Sequence, residues 1–472
     1  MNKRLTMMKK LIALTLICLI LTSACCAVPA AAAGGFTIED GVLLSYSGSD
    51  TSVQVPDGVY AIASSAFENN KKIQKVTLPS TVYAIGDRAF LQCSALTTVI
   101  GSGVTEVGDF AFSGTPYFEK STDVFFTLGK CLLWYNGSAG NVSLPSGIVS
   151  IAPYAFLRAG EITSFSASAG LMSIGEGAFY ECAKLKTVSL PATVSYIGAY
   201  AFDGTAFLNQ AGLMPIVGDG ILLRYSGDAA AVKIPDTVRR IAPRAFCGHQ
   251  KLTEITLPSS VYAVDSEAFM NCTALASLKL NSGLVTIGDS AFKGCTSLTA
   301  LETPASLSRV GSGAFQNCTR LDHLSLIGTR MTIADDAFAS CTGLKLALLS
   351  EGVSEVCDGA FRSCTALEAI SITSGTQIIS AGALTGCTKV KVCCDAGSAA
   401  SKTFSANMVD TGRGDADEDG SMTIIDATRL QRYLAEIVTI SPLAVARSDM
   451  DSDGYLTVVD VTRIQRILAG LV

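Results

Sequence analysis

One spacing dominates the chain. The pair Ala-Phe recurs with its phenylalanine at 67, 90, 112, 156, 179, 202, 246, 269, 292, 315, 338 and 361, and Ala383-Leu384 continues the series. The step is 23 residues in nine of the twelve intervals, 22 in one and 44 in two. A fixed period of this length means one structural unit copied many times. A representative unit runs Leu252-Thr253-Glu254-Ile255-Thr256-Leu257-Pro258, then Val261, Val264, Ala268-Phe269 and Asn271-Cys272-Thr273. Its Leu-x-x-Ile-x-Leu alternation predicts a short strand with Ile255 and Leu257 turned inward. Pro258 ends that strand, because it has no N–H for a ladder. A unit this small cannot bury its apolar face alone. Stacked units share a continuous core, so the spacing predicts a solenoid.

The period falls in the leucine-rich repeat range. The units Leu-x-x-Ile-x-Leu-Pro…Ile-Gly…Ala-Phe…Cys resemble the BspA-like repeats of bacterial surface proteins over about residues 60 to 395. That resemblance implies a mainly β fold and leaves function open. The two 44-residue steps point to inserts. Asp40-Gly41-Val42-Leu43-Leu44-Ser45-Tyr46-Ser47-Gly48 is repeated as Asp219-Gly220-Ile221-Leu222-Leu223-Arg224-Tyr225-Ser226-Gly227, and Leu128 to Gly137 is a third copy. These read as small hairpins on the solenoid.

Cys93, Cys182, Cys272, Cys295, Cys318, Cys341, Cys364 and Cys387 each follow the Phe (or Leu384) of their unit by three residues. Stacking places them in one buried column, where cysteine acts as a small apolar group. Neighbouring copies point the same way, so free thiols are expected rather than disulfides.

The N-terminus carries Lys3, Arg4, Lys9 and Lys10, then apolar Leu11 to Leu21, then small residues to Ala33. This reads as a secretory signal over 1–33. Lipid attachment at Cys25 or Cys26 stays open. Loss of the four basic residues lowers the formal charge from −6 to −10. An acidic chain with few basic clusters is a poor partner for nucleic acid. No segment after the signal offers the roughly 20 apolar residues of a membrane span.

Nothing in the solenoid suggests catalysis. His249 and His323 are the only histidines, and pairs such as Asp335-Asp336 fall where turns want aspartate. The outward strand positions are mostly small and polar: Thr187, Ser189, Glu254, Thr256, Ser277, Lys279, Ala300, Glu302, His323, Ser325, Leu346, Leu348, Ala369 and Ser371. They form a concave face of no evident ligand preference. The hairpin aromatics Tyr46, Trp134, Tyr135 and Tyr225 are candidate anchors for a partner, or packing groups within the hairpins.

The pattern changes after Cys394. Residues 396–411 read as an Ala/Ser/Gly-rich linker, and 412–472 as a separate module. Asp415-Ala416-Asp417-Glu418-Asp419-Gly420-Ser421-Met422-Thr423-Ile424-Ile425-Asp426 is matched 34 residues on by Asp449-Met450-Asp451-Ser452-Asp453-Gly454-Tyr455-Leu456-Thr457-Val458-Val459-Asp460. Alternate carboxylates, a turn glycine and a carboxylate at the twelfth place form a calcium loop of EF-hand type. Two Ca²⁺ are expected, one on Asp415, Asp417, Asp419, Ser421, Thr423 and Asp426, the other on Asp449, Asp451, Asp453, Tyr455, Thr457 and Asp460. Aspartate at the twelfth place and the lack of a helix before the first loop resemble type I dockerins. That resemblance implies binding to a cohesin module of a scaffoldin in a cellulosome. It implies contacts through Ile424, Ile425, Gln431 and Arg432, and equally through Val458, Val459, Gln465 and Arg466.

The chain is therefore expected to be a secreted, non-catalytic adaptor on a cell-surface cellulosome. Its solenoid, residues 34–395, would bind an unidentified protein or surface ligand. The alternative is a carbohydrate-active or carbohydrate-binding subunit in polysaccharide degradation.

Overall fold

The computed structural model describes residues 31–32, 34–395, 397–406, 414–418 and 421–471. The expected signal lies outside the described residues except Ala31–Ala32, which pair antiparallel with Phe36–Glu39. The chain divides into two compact units, residues 1–211 and 212–472.

Each repeat contributes two strands to two parallel ladders. In the first unit Ser52–Gln54, Lys75–Thr77 and Thr98–Ile100 form one ladder, in register Val53, Val76, Val99. Ala61–Ile62, Ala84–Ile85 and Glu106–Val107 form the other. The short helix Pro116–Glu119 interrupts this array, capped by the Thr115 hydroxyl, which accepts from the Phe118 N–H. The hairpin Phe125–Leu128 and Cys131–Tyr135 then opens a second array that runs to Tyr196–Ile197. A second short helix, Ala206–Gln210, follows it.

The second unit opens with the hairpin Ile216–Val217 and Ile221–Leu222. From there one ladder continues through nine strands to Ile378–Ile379. The other holds Ala231–Lys233, Glu254–Thr256 and Ser277–Lys279, then a five-stranded run from Ala300–Glu302 to Lys391–Cys393. Ile255 and Leu257 point into the core, as the alternation predicts, while Glu254 and Thr256 face solvent.

The expected hairpins are present, and each supplies its second strand to a solenoid ladder. Their tyrosines are not surface anchors. Tyr46, Tyr135 and Tyr225 are buried and pack on Phe67, Phe156 and Phe246 with ring centroids 5.3, 5.0 and 5.2 Å apart. They occupy the phenylalanine place in the first coil of each array. Trp134 packs edge-on against Phe118 at 5.8 Å.

Phe246, Phe269, Phe292, Phe315, Phe338 and Phe361 form a stacked column with centroids 4.7 to 5.4 Å apart. The chain turns sharply on either side of each ring. The residue two after the Phe has φ near +60°, as at Gln92, Glu181, Asn271 and Asn317, and the residue two before often does too, as at Arg88, Tyr154 and Glu267.

The cysteine column is buried and its thiols are free. Each thiol also donates to the carbonyl of the preceding unit's phenylalanine. Cys93 reaches Phe67 at 3.0 Å, Cys272 reaches Phe246 at 3.0 Å and Cys387 reaches Phe361 at 3.1 Å. Cysteine fits here because it is small, tolerates burial, and still carries a weak donor.

Within the stretch read as a linker, residues 399–403 form a helix. Its Ala400 and the following Phe404 join the core of the second unit, so that core extends past Cys394.

Candidate calcium loops and docking faces

The C-terminal residues of the second unit fold around two equal helices, Ile424–Leu434 and Val458–Leu468. Both begin the same way. Thr423 and Thr457 are N-caps, their hydroxyls accepting from the Ile425 and Val459 N–H groups at 3.1 Å. Asp426 and Asp460 reach back to accept from the N–H of Thr423 and Thr457 at 2.7 Å. Each helix therefore starts with a closed capping box. Ala427, Leu430, Val461 and Ile464 pack the helices together, with Leu434 and Ile467 at the edge. Leu468, by symmetry expected in this contact, is exposed.

The other oxygen of each twelfth-place aspartate returns to the start of its loop. Asp426 Oδ1 accepts from the N–H groups of Ala416 and Asp417 at 2.8 and 3.1 Å. Asp460 Oδ1 accepts from Met450 and Asp451 at 2.7 and 3.3 Å. One carboxylate thus ties the loop entrance to the helix it precedes.

The loops gather carboxylates. Asp415, Asp417 and Asp426 place oxygens within 4.8 Å of one another, and so do Asp449, Asp451 and Asp453. Asp415, Asp426, Asp449 and Asp460 are all 2% exposed or less. Burial, followed by the nearby Asp460, pushes the Asp449 carboxyl up to about 7. Like charges held this close, with Asp415, Asp426 and Asp449 buried, favour a cation between them. The donor set is hard oxygen with no thiolate or imidazole, which suits Ca²⁺. Of the other predicted ligands, Ser421 and Tyr455 lie exposed in the loops. The hydroxyls of Thr423 and Thr457 are committed to capping. Asp419 lies outside the described residues.

One partner was not legible in the sequence. Arg447, from the helix Pro442–Ser448 that leads into the second loop, places Nη1 3.1 Å from Asp415 Oδ2. It lies 32 residues away from its partner, with no motif to announce the pair.

The expected docking residues lie open. Ile424 and Ile425 are 59% exposed, Val458 68% and Val459 53%. Gln431, Arg432 and Arg466 are exposed and Gln465 is half-buried. Ile425 and Arg432 also line one groove with Thr428, Arg429, Glu436 and Ile437.

The strand face of the second unit departs from expectation. Ser325, Leu346, Leu348, Ala369 and Ser371, read as an open binding surface, are all buried. The helix Pro442–Ser448 packs on Leu346, Leu348 and Ala369.

These features define a leucine-rich repeat solenoid followed by a duplicated calcium-loop module. The family described as "BspA type Leucine rich repeat region" matches residues 40–122, 128–215, 224–345 and 264–391. The chain belongs to that family. The "Dockerin type I domain" matches residues 413–469, a domain type that binds calcium. Both are non-catalytic kinds of domain.

Among solved structures, a leucine-rich repeat protein from Eubacterium ventriosum is 21% identical with a TM-score of 0.35, covering 74% of this chain and 91% of that one. A leucine rich cell surface protein from Faecalibacterium prausnitzii is 21% identical with a TM-score of 0.26, covering 83% and 100%. The pneumococcal vaccine antigen PcpA is 17% identical with a TM-score of 0.31, covering 79% and 93%. No curated protein sequence matches the chain. No helix among the described residues is long and apolar enough to cross a membrane.

Proposed function

We propose that this chain is an exported adaptor whose dockerin binds a cohesin of a scaffoldin only when two Ca²⁺ are held. The observation that carries the reading is the repetition, in two copies, of a partly buried carboxylate cluster beside an exposed aliphatic pair. Bound calcium supplies the positive charge that offsets each cluster. Asp415, Asp417 and Asp426 would hold one ion, Asp449, Asp451 and Asp453 the other, with Asp460 closing the second loop. In each copy the twelfth-place aspartate also fixes the helix start, so loop closure sets the orientation of the docking pair. Ile424-Ile425 and Val458-Val459 then offer two similar apolar contacts to a partner. Gln431 and Arg432, and Gln465 and Arg466, add polar contacts two turns further on. The solenoid is the module so delivered, and its role is to bind a protein or surface ligand outside the cell.

A panel of immobilised cohesins, probed with full chain in calcium and in chelator, tests this. Retention by at least one type I cohesin in calcium, lost in chelator, supports it. No retention by any of them contradicts it.

A further inference from the structure

The outward strand positions of the second unit change character along the ladder. At Glu254, Thr256 and Lys279 they are polar and exposed. From His323 to Ile372 they include Leu346, Leu348 and Ala369, and these are buried. The cover comes from the dockerin. Val445 and Ala446 of the helix Pro442–Ser448 pack on Leu346, Leu348, Ala369 and Cys393, with Tyr433, Ile440, Leu443 and Leu456 at the margin. Beside this apolar contact the second calcium loop lies backbone-down on the strands. Ser325 Oγ donates to the Gly454 carbonyl at 2.5 Å. The Glu351 N–H donates to the Ser452 carbonyl at 3.2 Å. Gly454 has φ +88°, and a Cβ there would stand 3.2 Å from Ile327 and 3.3 Å from Ser325 Oγ. Both accepting carbonyls belong to residues that alternate with the carboxylates Asp451 and Asp453.

We propose that this strand face is a seat for the chain's own dockerin, and that the seat and the second calcium site stabilise each other. The coupling rests on the calcium reading above. A cation that draws Asp449, Asp451 and Asp453 together also fixes the backbone at Ser452 and Gly454, where the solenoid's donors wait. Without it the carboxylates repel, the loop opens, and both acceptors leave Ser325 and Glu351. Coupling between two bound groups is reciprocal, so damage to the seat must weaken calcium at the second loop. The seated dockerin still exposes Ile424, Ile425, Val458 and Val459. The seat therefore orients the docking faces and leaves them available.

Cys393 reports on the seat. It is 9% exposed and lies under Val445 and Ala446, whereas Cys272 and Cys318 lie inside the solenoid and serve as internal controls. Full chain is pulsed with N-ethylmaleimide in calcium and in chelator, and labelling is read peptide by peptide by mass spectrometry. Cys393 should label at least about tenfold faster in chelator, with Cys272 and Cys318 still protected. Leu348→Glu, a change on the outer side of the strand, should make Cys393 label fast even in calcium. In a calcium titration of that variant, one of the two sites should weaken. If two calcium ions bind yet Cys393 labels at the same rate with and without them, the coupling is wrong and the dockerin reading stands. If the chain binds no calcium, the calcium reading itself fails and the coupling fails with it.

Discussion

Arg240 and Asp265 are both nearly closed to solvent and meet through two hydrogen bonds of 2.7 and 2.6 Å. Removing one carboxylate or guanidinium strips the other buried charge of this two-bond pairing, which costs about 3 kcal/mol or more. Asp265→Ala should lower the stability of the second unit by that order in denaturant melts, and Asp265→Ala with Arg240→Met should recover much of it. The first unit holds the opposite case. Glu106 Oε2 is buried with no hydrogen-bond partner among the described residues, and burial, reinforced by Asp87, pushes its carboxyl up to about 7. The folded state then holds this proton more tightly than the unfolded chain does. Its contribution is fully present below the unfolded value of about 4.3 and is lost as pH rises through about 7. Glu106→Gln should therefore match the wild type near pH 4 and be more stable by about 2 kcal/mol at pH 8. A variant that gains nothing at pH 8 would show that the carboxylate is well solvated. None of these residues announces its partner in the sequence, because each depends on a neighbour in the adjacent coil.

At the scale of the repeat, much of the fold is legible in the sequence. The 23-residue step and the Leu-x-x-Ile-x-Leu alternation specify the ladders, and Ala-Phe specifies the ring column. What the step cannot show is a substitution of role. Tyr46, Tyr135 and Tyr225 stand outside the Ala-Phe series, yet they pack against the first ring of each array. The cysteines read as small apolar groups, and their thiol donation to a carbonyl in the preceding coil appears only once the coils are stacked. Burial pushes the Cys93 thiol up to about 11 and the Cys272 thiol up to about 12. Since the thiolate is the reactive form, both should resist Ellman's reagent in the native protein and react once it is denatured. Rapid native reaction would mean that the coils open. The dockerin helices make a similar demand on single residues. Thr457→Ala removes an N-cap, and should lower the dockerin's melting stability in calcium by about 1 kcal/mol.

The whole molecule joins a leucine-rich repeat solenoid to a dockerin. The loops were legible because their first, third, fifth and twelfth positions are aspartates and the pattern occurs twice. The seat was not, because Pro442–Ser448 is seven residues of ordinary helix, and its partners Leu346 and Ala369 lie 70 or more residues earlier. Calorimetry of the full chain should show a C-terminal transition in calcium that disappears in chelator, since metal affinity contributes directly to folding where ligands repel. The solenoid transition should persist. The most direct test of the central claim is a calorimetric titration of a cognate cohesin into the full chain in calcium. Three variants are compared with wild type. One carries Ile424→Ala, Ile425→Ala, Gln431→Ala and Arg432→Ala, one carries Val458→Ala, Val459→Ala, Gln465→Ala and Arg466→Ala, and one carries both sets. Two equivalent docking faces mean that either set alone should leave affinity within about tenfold of wild type, because the other copy can engage, and that both together should abolish binding. Undiminished binding by the chain carrying both sets, with its calcium transition intact, would contradict the claim.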